Sequence, residues 1–224
     1  METHHKPAFD KISADKRQRI LDAAVAEFAA RGLAQANINV IARNAGVSIG
    51  SMYNYFAAKE DLLLTVVDSG HALVAEVLAG VEAAEGNVLA KVEMVLRAAA
   101  DYARRYPELH QIYLDMTSES MAPLSRRLSG TVESVSARFY QRLLETARRD
   151  GQVAPDLDVP VAAFCLDNLV MMLQFAYTSD YFRERLRIFV GPSQEGGDED
   201  LIEGILRFVR RGLGIVDSAA GPRA

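Results

Sequence analysis

The segment from Asn37 to Phe56 leaves the backbone few options. Asn37 has the side chain of a helix cap, and Ile38, Ile41, Ala42 and Ala45 follow at spacings that place them on one face of a short helix. Gly46 can take the left-handed conformation that ends such a helix. Ser48 then caps a second run, Ile49 to Phe56, in which Met52 and Phe56 lie four apart and pack back on what precedes them. Helix, tight turn, helix is the arrangement that these caps and spacings permit.

The flanking sequence extends the same logic. Ser13 opens a helix whose Ile20, Leu21, Ala24, Val25 and Phe28 form an inward stripe, and Gly32 stops it. Lys59-Glu60-Asp61 begins another, continuing through Leu62, Leu63, Val66, Val67, Leu73, Val77, Leu78 and Val81. Further helices are expected over 87–106, 107–119, 123–149, 158–178 and 199–213, with Pro107 and Pro123 in first turns and Gly151, Pro155 and Pro160 marking the connection after the longest. Gly191 to Asp198 reads as a mobile loop and Asp217 to Ala224 as a frayed tail. No segment has the alternation of a strand, so the expected fold class is all-α.

With 224 residues, half of them hydrophobic, the chain has material for one large domain or two small ones. Its first six residues lack the charged and apolar regions of a secretory signal, and His4 and His5 read as part of a tail. The apolar tract from Val159 to Tyr177 contains Asp167, Asn168 and Gln174, which suits a buried helix better than a bilayer span. Cys165, the sole cysteine, sits in that tract and reads as a small core hydrophobe in a reducing compartment. A cytoplasmic protein is expected.

The net charge of −5 is unevenly placed: residues 1–60 carry eight basic and six acidic side chains, the rest 17 and 24. One localised phosphate-facing surface on an acidic body fits this division. A helix of eight residues is about 12 Å long and the DNA major groove about 12 Å wide. Gly50 and Ser51, at the start of the second run, keep side-chain bulk away from a docked strand. Tyr53 and Tyr55 have hydroxyls for phosphate, Lys59 adds charge, and Asn39 and Asn54 have amides suited to base edges. Each residue alone has a blander role in packing or solvation, and only the ordered combination singles out DNA.

Residues 37–56, followed by Lys59-Glu60-Asp61-Leu62-Leu63, strongly resemble the TetR family of transcriptional regulators, a likeness that includes Arg19-Ile20-Leu21 and Phe28 to Gly32. The resemblance implies a helix-turn-helix DNA-binding domain over 1–58, a larger helical ligand-binding and dimerisation domain over 59–216, and a tail over 217–224. It implies DNA contact for Asn37, Asn39, Ile49, Gly50, Ser51, Tyr53, Asn54, Tyr55 and Lys59. Two positions depart from the family pattern: Ile49 is often polar or basic in relatives, and Ala58 replaces a Ser or Asn cap. The family plan also implies that the 158–178 helix and the last helix, with Leu201, Ile202, Ile205, Leu206, Phe208 and Val209, pair with their copies in a four-helix bundle. A homodimer of this kind would present two recognition helices to a palindromic operator.

In the long helix, Leu124, Leu128, Val132, Val135, Phe139 and Leu143 form a stripe facing Leu109, Ile112, Tyr113 and Met116. Tyr113, Met116, Phe139, Asn168, Met172 and Phe175 are the expected lining of a pocket for a small apolar or amphipathic effector, with Asn168 as its polar anchor. An enzyme is the competing reading, but His71 and His110 have no partner at metal-ligand spacing, and no phosphate loop, nucleophile elbow or cysteine pair occurs. A constitutive architectural DNA binder would need only the first 60 residues. The expected protein is a ligand-responsive repressor, not an enzyme, without metal or cofactor.

Overall fold

Helix caps and apolar stripes account for the elements seen in the computed structural model, which describes residues 3–191 and 197–215, the side chains of 120, 125 and 127–133 apart. The helices are α1 (Pro7–Asp10), α2 (Ala14–Gln35), α3 (Ile38–Asn44), α4 (Ile49–Tyr55), α5 (Lys59–Ala83), α6 (Val88–Arg105), α7 (Pro107–Met116), α8 (Ala122–Arg149), α9 (Val159–Thr178), α10 (Asp180–Val190) and α11 (Gly197–Gly212), with a 3₁₀ turn at Glu119–Met121. There is no strand among the described residues. The expected all-α class holds. Pro192 to Gly196 of the expected loop, the tail 217–224, and the side chains of Leu128 and Val132 lie outside the described residues.

The chain divides into two compact units. The first comprises residues 1–74 and 106–133. Ser13 caps α2 by accepting from the Lys16 amide, and Gly32, at φ 64°, breaks the helix where the sequence placed its stop. Ile20, Ala24 and Phe28 of α2 are buried with Ile41, Met52, Phe56, Leu62, Leu64 and Val66, so the start of α5 shares one core with the helix-turn-helix. Ile112 and Met116 of α7 join that core, because α7 lies along α2.

Residues 4–10 correct the expectation of a tail. His4 is buried, Phe9 is 1% exposed, and Pro7 occupies the first turn of α1, where its missing N–H costs nothing.

The second unit comprises residues 75–105 and 134–224. In α6 the buried stripe is Val88, Val92, Val95, Leu96, Ala99, Ala100 and Ala103, whose small members admit α9 closely. Gln152 caps α6 by accepting the Val88 amide at 2.8 Å. The first turn of α11 is clasped to α6: Arg97 donates to both carboxylate oxygens of Glu199 at 2.6 and 2.8 Å, and Arg104 pairs with Asp198, which also accepts from the Tyr177 hydroxyl. The helix α10 had no counterpart in the sequence expectation. It packs on α9 through Phe182, whose ring lies 5.3 Å from that of Phe175.

By length and composition, α5 and α9 are apolar enough to cross a bilayer. In this fold Leu62, Leu64 and Val66 of α5 instead fill the first unit's core. Cys165 on α9 is exposed, which corrects its reading as a core residue.

Candidate nucleic-acid interface

Local chemistry fixes the shape of the α3–α4 motif. The Asn37 side chain accepts from the Asn39 amide at 2.9 Å, and Ser48 accepts from the Ser51 amide at 3.1 Å. Between the helices Gly46 adopts φ 69°, its amide donates to the Arg43 carbonyl, and the Val47 amide donates to the Ala42 carbonyl at 2.9 Å. This pair of bonds is the Schellman closure, satisfying two carbonyls at the end of α3. A Cβ on Gly46 would meet nothing within 4 Å, so the glycine is required by backbone conformation and not by space.

Met52 and Phe56 are wholly buried, as their spacing predicts. The opposite side of α4 carries Ile49, Gly50, Tyr53 and Asn54, all exposed, with Tyr53 at 53%. Asn37, Asn39 and Arg43 are exposed on α3, and Ser51 is half-buried with its hydroxyl bonded to Ser48 at 2.9 Å. A Cβ on Gly50 would touch only the Ser48 hydroxyl at 4.0 Å, so nothing within the chain demands glycine there. The space that Gly50 saves lies outside the molecule.

Two of the expected contact residues are occupied internally. Tyr55 is 7% exposed, and its ring lies against those of Phe9 and Phe56, so its ring is a packing element and not an open surface like that of Tyr53. The Lys59 ammonium donates to the carbonyls of Ala34 at 3.1 Å and Ala36 at 3.0 Å, holding the segment between α2 and α3.

Sequence reasoning missed two further residues. The carboxylate of buried Glu27 accepts the Asn37 amide at 3.0 Å and so sets where α3 begins. Its sequence signal was an acidic residue beside the inward stripe, between Ala24 and Phe28. Arg43, one turn beyond Asn39, adds an exposed cation to the α3 surface.

The expected effector lining is distributed differently. Tyr113 and Met116 belong to the first unit, where Met116 is buried in the core and the Tyr113 ring stands 6.3 Å from His71. Phe139, Asn168, Met172 and Phe175 belong to the second unit. Phe139 packs on Tyr140 with ring centres 5.2 Å apart, and Phe175 is engaged by Phe182. The Asn168 amide donates to the Phe164 carbonyl at 2.8 Å, along its own helix. Met172 is exposed, and its helical phase matches Phe164 and Asn168, not the inward Leu166 and Leu173. A groove of about 480 Å³ in the second unit, lined by Leu89, Glu93, Glu203, Leu206, Arg207, Arg210 and Arg211, contains none of the six.

Burial holds the imidazoles of His71 and His110 neutral, lowering both to about 4.

Comparison with known proteins places this geometry. Residues 20–66 match the family model of bacterial regulatory proteins of the tetR family. Over 55 residues the chain is 44% identical to the HTH-type transcriptional regulator SrpR of Pseudomonas putida, a match covering 25% of this chain and 26% of SrpR. The chain therefore spans about a quarter of that relative's length.

Two solved structures share the fold over most of both chains. The fatty acid regulator FadR of Bacillus subtilis, solved with stearoyl-CoA, superposes with a TM-score of 0.71 at 19% identity, covering 87% of this chain and 98% of its own. The ketosteroid transcriptional regulator KstR2 of Mycobacterium tuberculosis superposes with a TM-score of 0.62 at 18% identity, covering 92% and 98%. Residues 20–66 thus match the tetR family of bacterial regulatory proteins, and the chain as a whole shares the fold of these two regulators.

Proposed function

We propose that the protein is a cytoplasmic, dimeric transcriptional repressor that occupies a palindromic operator and is released by an apolar or amphipathic small molecule. The observation that carries the DNA half is the exposed face of α3 and α4, where Asn37, Asn39, Arg43, Ile49, Gly50, Tyr53 and Asn54 stand on a backbone fixed by two side-chain caps and a glycine closure. On this reading residues 1–58 read DNA and 59–216 bind the effector and dimerise. Tyr53 and Arg43 contact phosphate, Asn39 and Asn54 face base edges, and Ile49 meets a thymine methyl. Ser51 and Lys59 hold the motif in shape and touch phosphate at its margin, while Tyr55 packs beneath it.

The dimer is supported by the outward side of α9, where Val161, Phe164, Cys165 and Met172 are exposed at helical spacing, and by Phe208 of α11, which is 66% exposed. Ile202 and Val209 are buried within the subunit and Leu206 lines the groove beside Leu89, so Phe208 and not Leu206 carries the α11 side of the seam. The effector class is supported by the apolar character of Phe139 and Phe175 in the second unit, and by two fold relatives, one solved with stearoyl-CoA and the other a ketosteroid transcriptional regulator. For release, the effector must bind the DNA-incompetent state more tightly than the competent one.

Selection of bound sequences from random DNA, followed by titration of the selected site with acyl-CoA and steroid probes, tests both halves. Enrichment of a palindrome supports the operator, and its release by either probe supports the effector class. Absence of any enriched sequence overturns the DNA half; an operator insensitive to both probes overturns the effector class.

A further inference from the structure

The end of the recognition helix α4 is held by Lys6, which lies 47 positions before Tyr53 in the sequence. In a helix of seven residues the last carbonyls have no partner within the helix, and so short a helix is marginal by itself. Here the Met52 carbonyl accepts from the Phe56 amide, while those of Tyr53 and Tyr55 lie beyond the helix's own ladder. Lys6 supplies donors to these two. Its backbone amide donates to the Tyr55 carbonyl at 2.8 Å, and its ammonium donates to the Tyr53 carbonyl at 2.8 Å. The ammonium also places positive charge where the helix dipole is negative.

The segment that carries Lys6 is anchored on both sides. Phe9, 1% exposed, inserts its ring 4.9 Å from that of Phe56 and 5.8 Å from that of Tyr55. The Arg17 guanidinium lies 5.9 Å from the centre of the Phe9 ring, adding α2 to the anchorage. His5 bonds Asp10 at 2.9 Å across α1. Buried His4 stands 3.7 Å from the Asp68 carboxylate of α5. Residues 4–9 therefore run from α5, at Asp68, to the C-terminal end of α4.

We infer that residues His4 to Phe9 form a strap that sets the orientation of α4 and ties it to α5, with Lys6 as the positioning residue for sequence-specific DNA reading. The inference rests on the proposal that α3 and α4 are the DNA-contacting motif. Two donors from one residue fix the helix end against rotation, and Phe9 fixes its distance from α2. A shift of Asp68 relative to α4 would strain the strap, so α5 has a physical link to the recognition helix besides the shared core.

The test uses the full chain with Lys6→Met, which keeps the aliphatic stem and removes the ammonium, and Lys6→Arg, which restores a donor. Hydrogen–deuterium exchange needs no DNA: amides at the end of α4 should exchange about fivefold faster in Lys6→Met, and equal exchange would overturn the strap. On selected DNA, Lys6→Met should lower the ratio of specific to non-specific affinity about tenfold with an unchanged salt slope, and Lys6→Arg should recover most of it. Asp68→Asn, tied to the strap at His4, should move the same ratio in the same direction by a smaller factor. An equal loss on all sequences with a shallower salt slope would make Lys6 a phosphate contact and overturn its positioning role. If the wild-type chain enriches no sequence, the DNA reading fails while the exchange experiment still decides whether the strap exists.

Discussion

The outward faces of α3–α4 and of α9–α11 are both exposed in the subunit, yet they are built from opposite materials. On α3 and α4 the exposed side chains are mostly polar or basic, and their backbone is held by caps, by Glu27 and by Lys59. On α9 and α11 they are Val161, Phe164, Met172 and Phe208, and the neighbouring α10 adds Tyr181, Ile188 and Phe189. A polar face can remain hydrated until it meets a hydrated, anionic partner. An apolar face left in water forgoes about 25 cal/mol for every Å² it could bury, and it finds its partner in another apolar surface. The difference teaches that the two faces suit different company: on the proposed function, a charged polymer for the polar face and a second copy of the chain for the apolar one.

The comparison breaks first at the apolar end. Phe164→Asp combined with Phe208→Asp should raise the dimer dissociation constant about a thousandfold, roughly 4 kcal/mol, because each change appears twice across a twofold axis and buries charge without a partner. Sedimentation equilibrium read beside circular dichroism decides the matter. A variant that keeps native helicity and still dimerises at nanomolar concentration would place the seam elsewhere.

Acid should separate the two units. All four histidines fall in the first unit, and burial lowers His71 and His110 to about 4. Their unfolded-state value is near 6.5, so between those limits the unfolded chain binds more protons than the folded one. Stability contributed by keeping them neutral is therefore intact above pH 6.5 and lost as pH falls toward 4. The loss should be on the order of 3 kcal/mol for the pair near pH 5. Exchange protection in α5 and α7 should consequently fall before that in α6 and α9. Simultaneous loss in both units would show that they unfold as one.

Glu27→Ala should cost about 2 kcal/mol in urea unfolding, since it leaves the Asn37 amide without its acceptor where α3 begins. A change below about 0.5 kcal/mol would mean that water replaces the carboxylate freely.

What could be read from the sequence divides along the same physical line. Asn37, Ser48, Gly46 and the Met52–Phe56 pair were legible because caps, left-handed glycines and four-residue spacings act between near neighbours. Lys6 and Phe9 gave no structural signal in the sequence because their partners lie on α4, 47 positions away for the ammonium of Lys6. The helix α10 escaped notice because only Phe182 and Leu186 face inward among its alternating charges, leaving little apolar period. The exposure of Met172 was illegible for a related reason: an apolar residue looks the same in sequence on either face of an apolar helix.

The smallest expected effect sharpens the comparison within the DNA motif itself, between two tyrosines one residue apart. Tyr53 is 53% exposed and Tyr55 only 7%, although either hydroxyl suits phosphate in sequence terms. Helical phase separates them, since Tyr55 falls beside the buried Met52 and Phe56 while Tyr53 falls opposite. Tyr53→Phe should weaken binding to every DNA sequence by about 1 kcal/mol, roughly fivefold, because it deletes one neutral hydrogen bond to the backbone. Its salt slope should hardly change, since no charge is lost. Tyr55→Phe should leave affinity within about twofold, because its ring stays packed on Phe9 and Phe56 without the hydroxyl. Fluorescence anisotropy on specific and non-specific duplexes at matched salt separates the pair. A larger loss for Tyr55→Phe would mean that the buried tyrosine reaches phosphate after all, and that α4 docks on its Tyr55 edge instead of the face bearing Tyr53 and Asn54.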